Sequence, residues 1–185
     1  MKFNKYFNIF IVITLSIISI IINTVLFKFC PSINKFSPNL ILLIIIYLAI
    51  FRDIYEGAGL VFFISYLYSL HSPSFIGGVL CVHMILFFIL SIISMHIYVK
   101  GIKIVFIIVT GAFLGEKILI ELVLYFFKNS SVLNWLVIRN FLFELLMDLL
   151  FSLVVFDILR RLDLYTGVKK EKTNFFAGPI YLRKV

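Results

Sequence analysis

The stretch from Gly57 to Val99 contains no Asp, Glu, Lys or Arg in 43 consecutive residues. A helix needs only ~20 residues to cross the hydrocarbon core of a bilayer, and one unbroken helix of this length would be about 65 Å long. The sequence His71-Ser72-Pro73 interrupts the apolar pattern at a point where a turn would be needed. The stretch therefore predicts a hairpin of two membrane-spanning helices.

The composition extends this prediction to the whole chain. Of 185 residues, 63% are hydrophobic and only 14% are charged, and the mean hydropathy is +1.15. The longest polar segment, residues 160–185, is too short to bury a core of its own. We predict a polytopic membrane domain of residues 1–159 and a basic cytoplasmic tail of residues 160–185. The tail is expected to lie near anionic lipid headgroups or to bind a cytoplasmic protein, and not nucleic acid, because it offers no folded basic surface.

Charges and helix-breaking residues divide the chain into six apolar segments, at residues 7–27, 39–51, 57–70, 74–98, 102–127 and 132–159. The expected fold class is an all-α integral membrane protein with about six transmembrane helices. The second and third segments are short of the ~20 residues that a full crossing needs. They are compatible with thin or tilted crossings, or with a pair of re-entrant helices packed inside the protein.

The distribution of basic residues predicts the orientation. With six crossings, twelve Lys and Arg residues fall on the side that holds both termini, and three fall on the other side. The positive-inside bias therefore places both termini in the cytoplasm.

Ionisable residues occur inside the fifth and sixth segments, where they are costly. If these segments form an antiparallel hairpin that turns near Asn129, Glu121 lies at the depth of Arg139, and Lys117 at the depth of Glu144. Asp148, one helical turn from Glu144, has no predicted partner. Two interpretations remain open: a path for protons or substrate, or neutralised pairs that hold two helices in register.

Other candidate features are weaker. Gly111 and Gly115 have the GxxxG spacing that allows close helix approach, either within the protein or to a partner. Cys30 and Cys81, like His83 and His96, have no metal-ligand spacing, and the histidines are expected to be satisfied core or interfacial residues. The chain has no HExxH, GxSxG or P-loop motif. We therefore predict a non-enzymatic protein without a cofactor or a metal ion.

Three motifs resemble the rod shape-determining protein MreD family. They are Ser37 to Tyr47, where a Pro-Asn opens an apolar helix that ends near a tyrosine; Gly57-Ala58-Gly59, which begins the next short helix; and the turn Ser72 to Gly77. Pro38, Asn39, Gly59 and Gly77 account for most of the resemblance. The family often has an acidic residue late in the third helix, where this chain has Tyr66-Leu67-Tyr68-Ser69-Leu70.

The resemblance implies a scaffold subunit of the bacterial cell-elongation machinery. Members of the family bind the bitopic protein MreC and help connect MreB filaments with peptidoglycan synthases. The layout is also similar to that of the substrate-binding subunits of energy-coupling-factor vitamin transporters. That alternative would require a pocket with convergent polar groups, and the predicted outer loops offer little beyond Asn34, Lys35 and Asn134-Trp135.

Overall fold

The computed structural model describes residues 2–23, 38–71, 76–96, 102–128 and 135–166. Within these ranges the protein is all-helical, as predicted, with six α-helices and no strand. The helices are α1 (Lys2–Ile21), α2 (Leu40–Phe51), α3 (Ile54–His71), α4 (Ile76–His96), α5 (Ile102–Lys128) and α6 (Trp135–Tyr165). Each overlaps one of the six predicted apolar segments.

The twelve-residue helix α2 is the centre of the bundle. Every residue from Leu40 to Ala49 is buried, and the helix contacts each of the other five helices. A helix that is apolar on all sides is stable only where all its sides are covered. The second segment is therefore short because it lies inside the protein, whereas α3 exposes Phe62, Phe63 and Tyr66 on an outward face.

The last helix is longer than predicted. The sixth apolar segment was expected to end at Leu159, yet α6 continues to Tyr165. The added turn is anchored, because Asn8 of α1 donates hydrogen bonds from its amide to Asp163 and Thr166. Residues 160–166 thus belong to the helical body, and residues 167–185 of the predicted tail lie outside the described residues.

The bundle exposes many large apolar side chains and buries several polar and ionisable groups within a mainly apolar core. Large apolar side chains are exposed on all five helices that surround α2, for example Phe10, Phe63, Ile92, Ile118 and Leu146. The buried set includes polar and ionisable groups from the same five helices: Asn8, Ser16, Ser65, Ser69, His83, Ser91, Glu116, Asp148, Ser152 and Asp163.

By length and apolar composition alone, one helix in the described part of the chain qualifies as a candidate membrane span. It is Gly77–Met95 within α4, with a mean hydropathy of 2.5. Tyr6–Ile21 and Leu40–Phe51 are apolar but shorter. The helices α5 and α6 have 27 and 31 residues, and ionisable groups recur along both of them.

The glycines differ in how closely a neighbouring helix approaches them. A Cβ atom added at Gly59 or at Gly111 would meet nothing within 4 Å among the described residues, and both residues are exposed. Of the two alternatives for Gly111, close approach to a partner therefore stays open, whereas close approach within the described part of the protein does not occur there. Gly77 is also exposed. Close approach occurs instead at Gly57, where a Cβ would lie 2.8 Å from Cζ of Phe87, and at Gly115, 3.3 Å from Cδ1 of Leu86.

Candidate functional site: two polar clusters at the ends of the central helix

Buried polar residues gather at both ends of α2, although the helix itself is almost wholly apolar. We name the group at its N-terminus the Asn39 cluster, which consists of Asn39, Ser65, His83, Glu116 and Asp148. We name the group at its C-terminus the Arg52 cluster, which consists of Asn8, Tyr47, Arg52, Asp163 and Thr166. A helix of twelve residues is about 18 Å long, and this length separates the two clusters.

Asn39 is the N-cap of α2 and joins this helix to two others. Its Oδ1 atom accepts a hydrogen bond from the backbone N–H of Leu42 at 3.2 Å, as an N-cap side chain does. Its Nδ2 atom donates to both carboxylate oxygens of Glu116 on α5, at 2.9 and 3.0 Å. Its backbone N–H donates to Oδ1 of Asp148 on α6, at 2.6 Å. The preceding residue, Pro38, is buried, and its carbonyl accepts the N–H of Leu40 at 3.0 Å.

His83 extends the Asn39 cluster to α4 and α3. The imidazole is fully buried; its Nε2 atom lies 3.3 Å from Oε1 of Glu116, and its Nδ1 atom lies 3.0 Å from Oγ of Ser65. The ring of Tyr68 stacks on it with centroids 5.8 Å apart. The expectation of a satisfied core histidine is confirmed for His83, whereas the side chain of His96 lies outside the described residues.

The two carboxyl groups of the Asn39 cluster have unequal surroundings. Both are buried, at 2% exposure for Glu116 and 0% for Asp148. Glu116 accepts from the Asn39 amide and contacts the His83 ring, whereas Oδ2 of Asp148 has no hydrogen-bond partner among the described residues. In the same part of the chain, neither group forms an ion pair with a lysine or arginine. The positive end of the α2 macrodipole also favours negative charge at this site.

A separate ion pair lies beside this cluster, between α5 and α6. Nζ of Lys117 is 2.7 Å from Oε2 of Glu144, and it also lies 5.1 Å from the centroid of the Phe113 ring. The predicted pairing of Lys117 with Glu144 is confirmed. The second predicted pair, Glu121 with Arg139, falls outside the description because the side chain of Arg139 does.

At the other end of α2, Arg52 follows the last helical residue and turns its guanidinium inwards. Nη1 lies 2.8 Å from Oε1 of Glu56, and Nη2 lies 2.7 Å from Oδ1 of Asp163. Nη2 also donates to Oδ1 of Asn8. The Arg52 and Asp163 side chains are only 2% and 3% exposed. Arg52 was counted as a loop charge in the sequence, and the structure places it in the interior instead.

Asp163 is the acceptor that holds the Arg52 cluster together. Besides Arg52, it accepts from the hydroxyl of Tyr47 at 2.7 Å and from the amide of Asn8 at 3.0 Å. This brings the start of α1, the end of α2 and the end of α6 to one end of the bundle. A cation at the C-terminus of α2 and carboxyl groups at its N-terminus both complement the helix dipole.

The sequence pointed to part of this arrangement. Asn39 and Asp148 were candidates, but the contact between them was not predicted. Glu116 was counted only among the ionisable residues of the fifth apolar segment, where a charge is costly. Asn8 was missed, although an amide side chain among the apolar residues of α1 can indicate a hydrogen bond to another helix.

Each cluster connects several helices of the bundle. The described residues contain no group of three His, Cys, Asp or Glu side chains placed to hold a metal ion. A shallow groove between α5 and α6 is lined by Ile102, Val105, Ser152, Leu153, Phe156, Asp157 and Arg160. What the geometry provides is a central helix whose two ends are fastened to its neighbours by buried hydrogen bonds and ion pairs.

Comparison of the chain with models of protein families, with curated proteins and with solved structures found no match.

Proposed function

We propose that this protein is a multi-pass protein of the bacterial cytoplasmic membrane and acts as a non-enzymatic, MreD-type scaffold subunit of the cell-elongation machinery. The observation that carries the first half of this proposal is the exposure of large apolar side chains together with the burial of ionisable ones. Phe10 of α1 is 66% exposed, Ile107 of α5 is 70% exposed and Leu142 of α6 is 64% exposed, while Arg52, Glu116 and Asp163 are buried. In water this exterior would aggregate, whereas in a bilayer it is solvated by lipid.

The buried charges agree with the same proposal. Ionisable groups in membrane helices face the protein interior and pair with one another or with backbone groups. Arg52 with Asp163, and Asp148 with the backbone of Asn39, follow this rule.

The second half of the proposal rests on the resemblance, and two of the four positions that account for most of it, Pro38 and Asn39, have structural roles. Pro38-Asn39 opens the central helix, and Asn39 binds two further helices. In the motif Gly57-Ala58-Gly59, Gly57 allows α3 to approach Phe87 of α4. These roles support a family pattern that specifies one helix packing. The expected partners are MreC, MreB and peptidoglycan synthases.

The test is affinity purification of the tagged protein from its own cells in mild detergent, with co-purifying proteins identified by mass spectrometry. An unrelated polytopic membrane protein with the same tag and similar abundance is the control. Specific recovery of MreC with wall synthases, together with loss of cell elongation on depletion, is the expected result. Recovery of an ATPase pair with a coupling membrane subunit would overturn the scaffold proposal in favour of a vitamin-type transporter.

A further inference from the structure

The Asn39 cluster contains two buried carboxyl groups, and in the described part of the chain no lysine or arginine pairs with either of them. Glu116 and Asp148 approach the same residue from different helices, since both are hydrogen-bonded to Asn39. Two negative charges at one buried site without a lysine or arginine beside them are strongly unfavourable, and one of two neighbouring carboxyl groups then keeps its proton. The geometry determines which of the two it is.

Glu116 is the better-solvated carboxylate. Both of its oxygens receive a hydrogen bond from the Asn39 amide, and Oε1 also lies within reach of Nε2 of His83. Ser65 can donate its hydroxyl proton to Nδ1 of the same ring, at 3.0 Å. With a proton on Nε2, the imidazole donates to Glu116.

Asp148 has a single donor. Its Oδ1 atom accepts the backbone N–H of Asn39, while Oδ2 is buried without a partner. An unpartnered neutral O–H group in the interior costs far less than an unpartnered anionic oxygen. We propose that the Asn39 cluster is a proton-binding site, in which Oδ2 of Asp148 holds a proton taken from water and Glu116 carries the single negative charge.

The surrounding charges are consistent with one net negative charge in this cluster. On α5 and α6, the ionisable groups that act on Asp148 besides Glu116 are Lys117 and Glu144, and these two neutralise each other at 2.7 Å. On α3, Tyr68 stacks against His83. The N-terminus of α2 adds a positive field equivalent to roughly half a unit charge, which is too little to compensate two carboxylates.

The decisive measurement is infrared spectroscopy of the purified, folded protein, which resolves the carbonyl stretch of a protonated carboxyl group from the bands of carboxylates. At neutral pH we expect one such band, and we expect it to shift when the protein is made with aspartate labelled isotopically at the side-chain carboxyl carbon. Of the four aspartates, Asp53 is exposed, Asp157 pairs with Arg161, and Asp163 accepts from three side chains. A labelled band therefore reports on Asp148 without any substitution.

Two variants complete the test. In Asp148→Asn the band should be lost, and in Asp157→Asn, the matched control on the same helix, whose carboxylate pairs with the exposed Arg161, it should persist unchanged. Absence of the band in the wild-type protein at neutral pH would overturn the proposal. A band that shifts with labelled glutamate instead of labelled aspartate, or one that remains in Asp148→Asn, would overturn it equally, since the proton would then lie elsewhere.

Discussion

At the scale of single residues, Asn39 makes the largest number of hydrogen bonds in the Asn39 cluster when its backbone N–H is included. It uses its amide oxygen, its amide nitrogen and its backbone N–H to join α2, α5 and α6. An aspartate at this position would place a third carboxyl group beside Glu116 and Asp148. Asparagine caps the helix as well as aspartate does, and only asparagine also supplies the donors that Glu116 needs.

Replacement of Asn39 should separate these roles. Asn39→Ala removes the cap acceptor and the donors to a buried carboxylate, so we expect a loss of about 2–4 kcal/mol in the free energy of unfolding. Asn39→Ser keeps a cap acceptor and should lose roughly half as much. Thermal unfolding in detergent measures both, and equal losses for the two variants would contradict the assigned role of the amide donors.

The Arg52 cluster leads to a second prediction at this scale. Arg52→Met leaves Asp163 buried without its cation, and we expect a destabilisation of about 3–5 kcal/mol. The control is Arg161→Met, because Arg161 is 71% exposed in its pair with Asp157, and such pairs contribute about 0–1 kcal/mol. Equilibrium unfolding of both variants checks the difference, and similar losses would contradict the buried position of Arg52.

Single contacts could be predicted from the sequence only where one geometric rule was sufficient. Lys117 and Glu144 were matched because depth along an antiparallel hairpin follows from residue number. The contact of Asn39 with Glu116 depends instead on how helices distant in sequence rotate about their axes. The sequences of these helices have no clear polar face, so nothing in them indicated which side of each helix is turned towards the interior.

At the scale of elements, the positions of the helices follow from the apolar pattern, and their ends do not. All six segments were found, because charges and breakers separate them clearly. The end of α6 was placed too early because Arg160 and Arg161 look like the start of a cytoplasmic tail. Burial of Asp163 against Asn8 extends the helix, and no local pattern reveals a contact over 155 residues.

A matched pair of glycines tests the packing of α3. Gly57→Ala should destabilise the protein by about 1–3 kcal/mol, because the new Cβ would overlap the fully buried Phe87 ring. Gly59→Ala, two positions further on, should stabilise by about 0.5–1 kcal/mol, because alanine is the better helix former and the site is open. Melting temperatures of the two variants check the prediction. Destabilisation by Gly59→Ala would contradict it, because it would show that another group lies in contact with this position.

At the scale of the whole molecule, the apolar exterior is the feature on which the membrane proposal depends. Large apolar side chains are exposed on all the outer helices, while the buried ion pairs and hydrogen bonds lie mainly at the two ends of the apolar central helix. The apolar segments predicted the all-helical fold. They did not predict that the shortest segment would be the axis, because an all-apolar helix can be surrounded by lipid or by other helices equally well.

Cysteine labelling in open membrane fragments tests this exterior. In a background with Cys30→Ser and Cys81→Ser, Ile89→Cys places a thiol on the outward face of α4, where Ile89 is 46% exposed. We expect no reaction with a charged maleimide until a denaturing detergent is added. The control Lys103→Cys, exposed near the start of α5, should react at once. Equal rates at the two positions would show that water reaches both.

The central position of α2 also determines when the protein can reach its final structure during synthesis. The helix leaves the ribosome second, yet it contacts α4, α5 and α6, which follow it. Asn39 is hydrogen-bonded to α5 and α6, and Asp163, one of the acceptors of Arg52, lies near the end of α6, so the contacts at both ends of α2 stay incomplete until translation is almost finished. Before α6 is made, the partners of Arg52 that already exist are Glu56 and Asn8, and a chain without α6 would lack Asp148 and Asp163, the acceptors that it supplies to the two ends of α2.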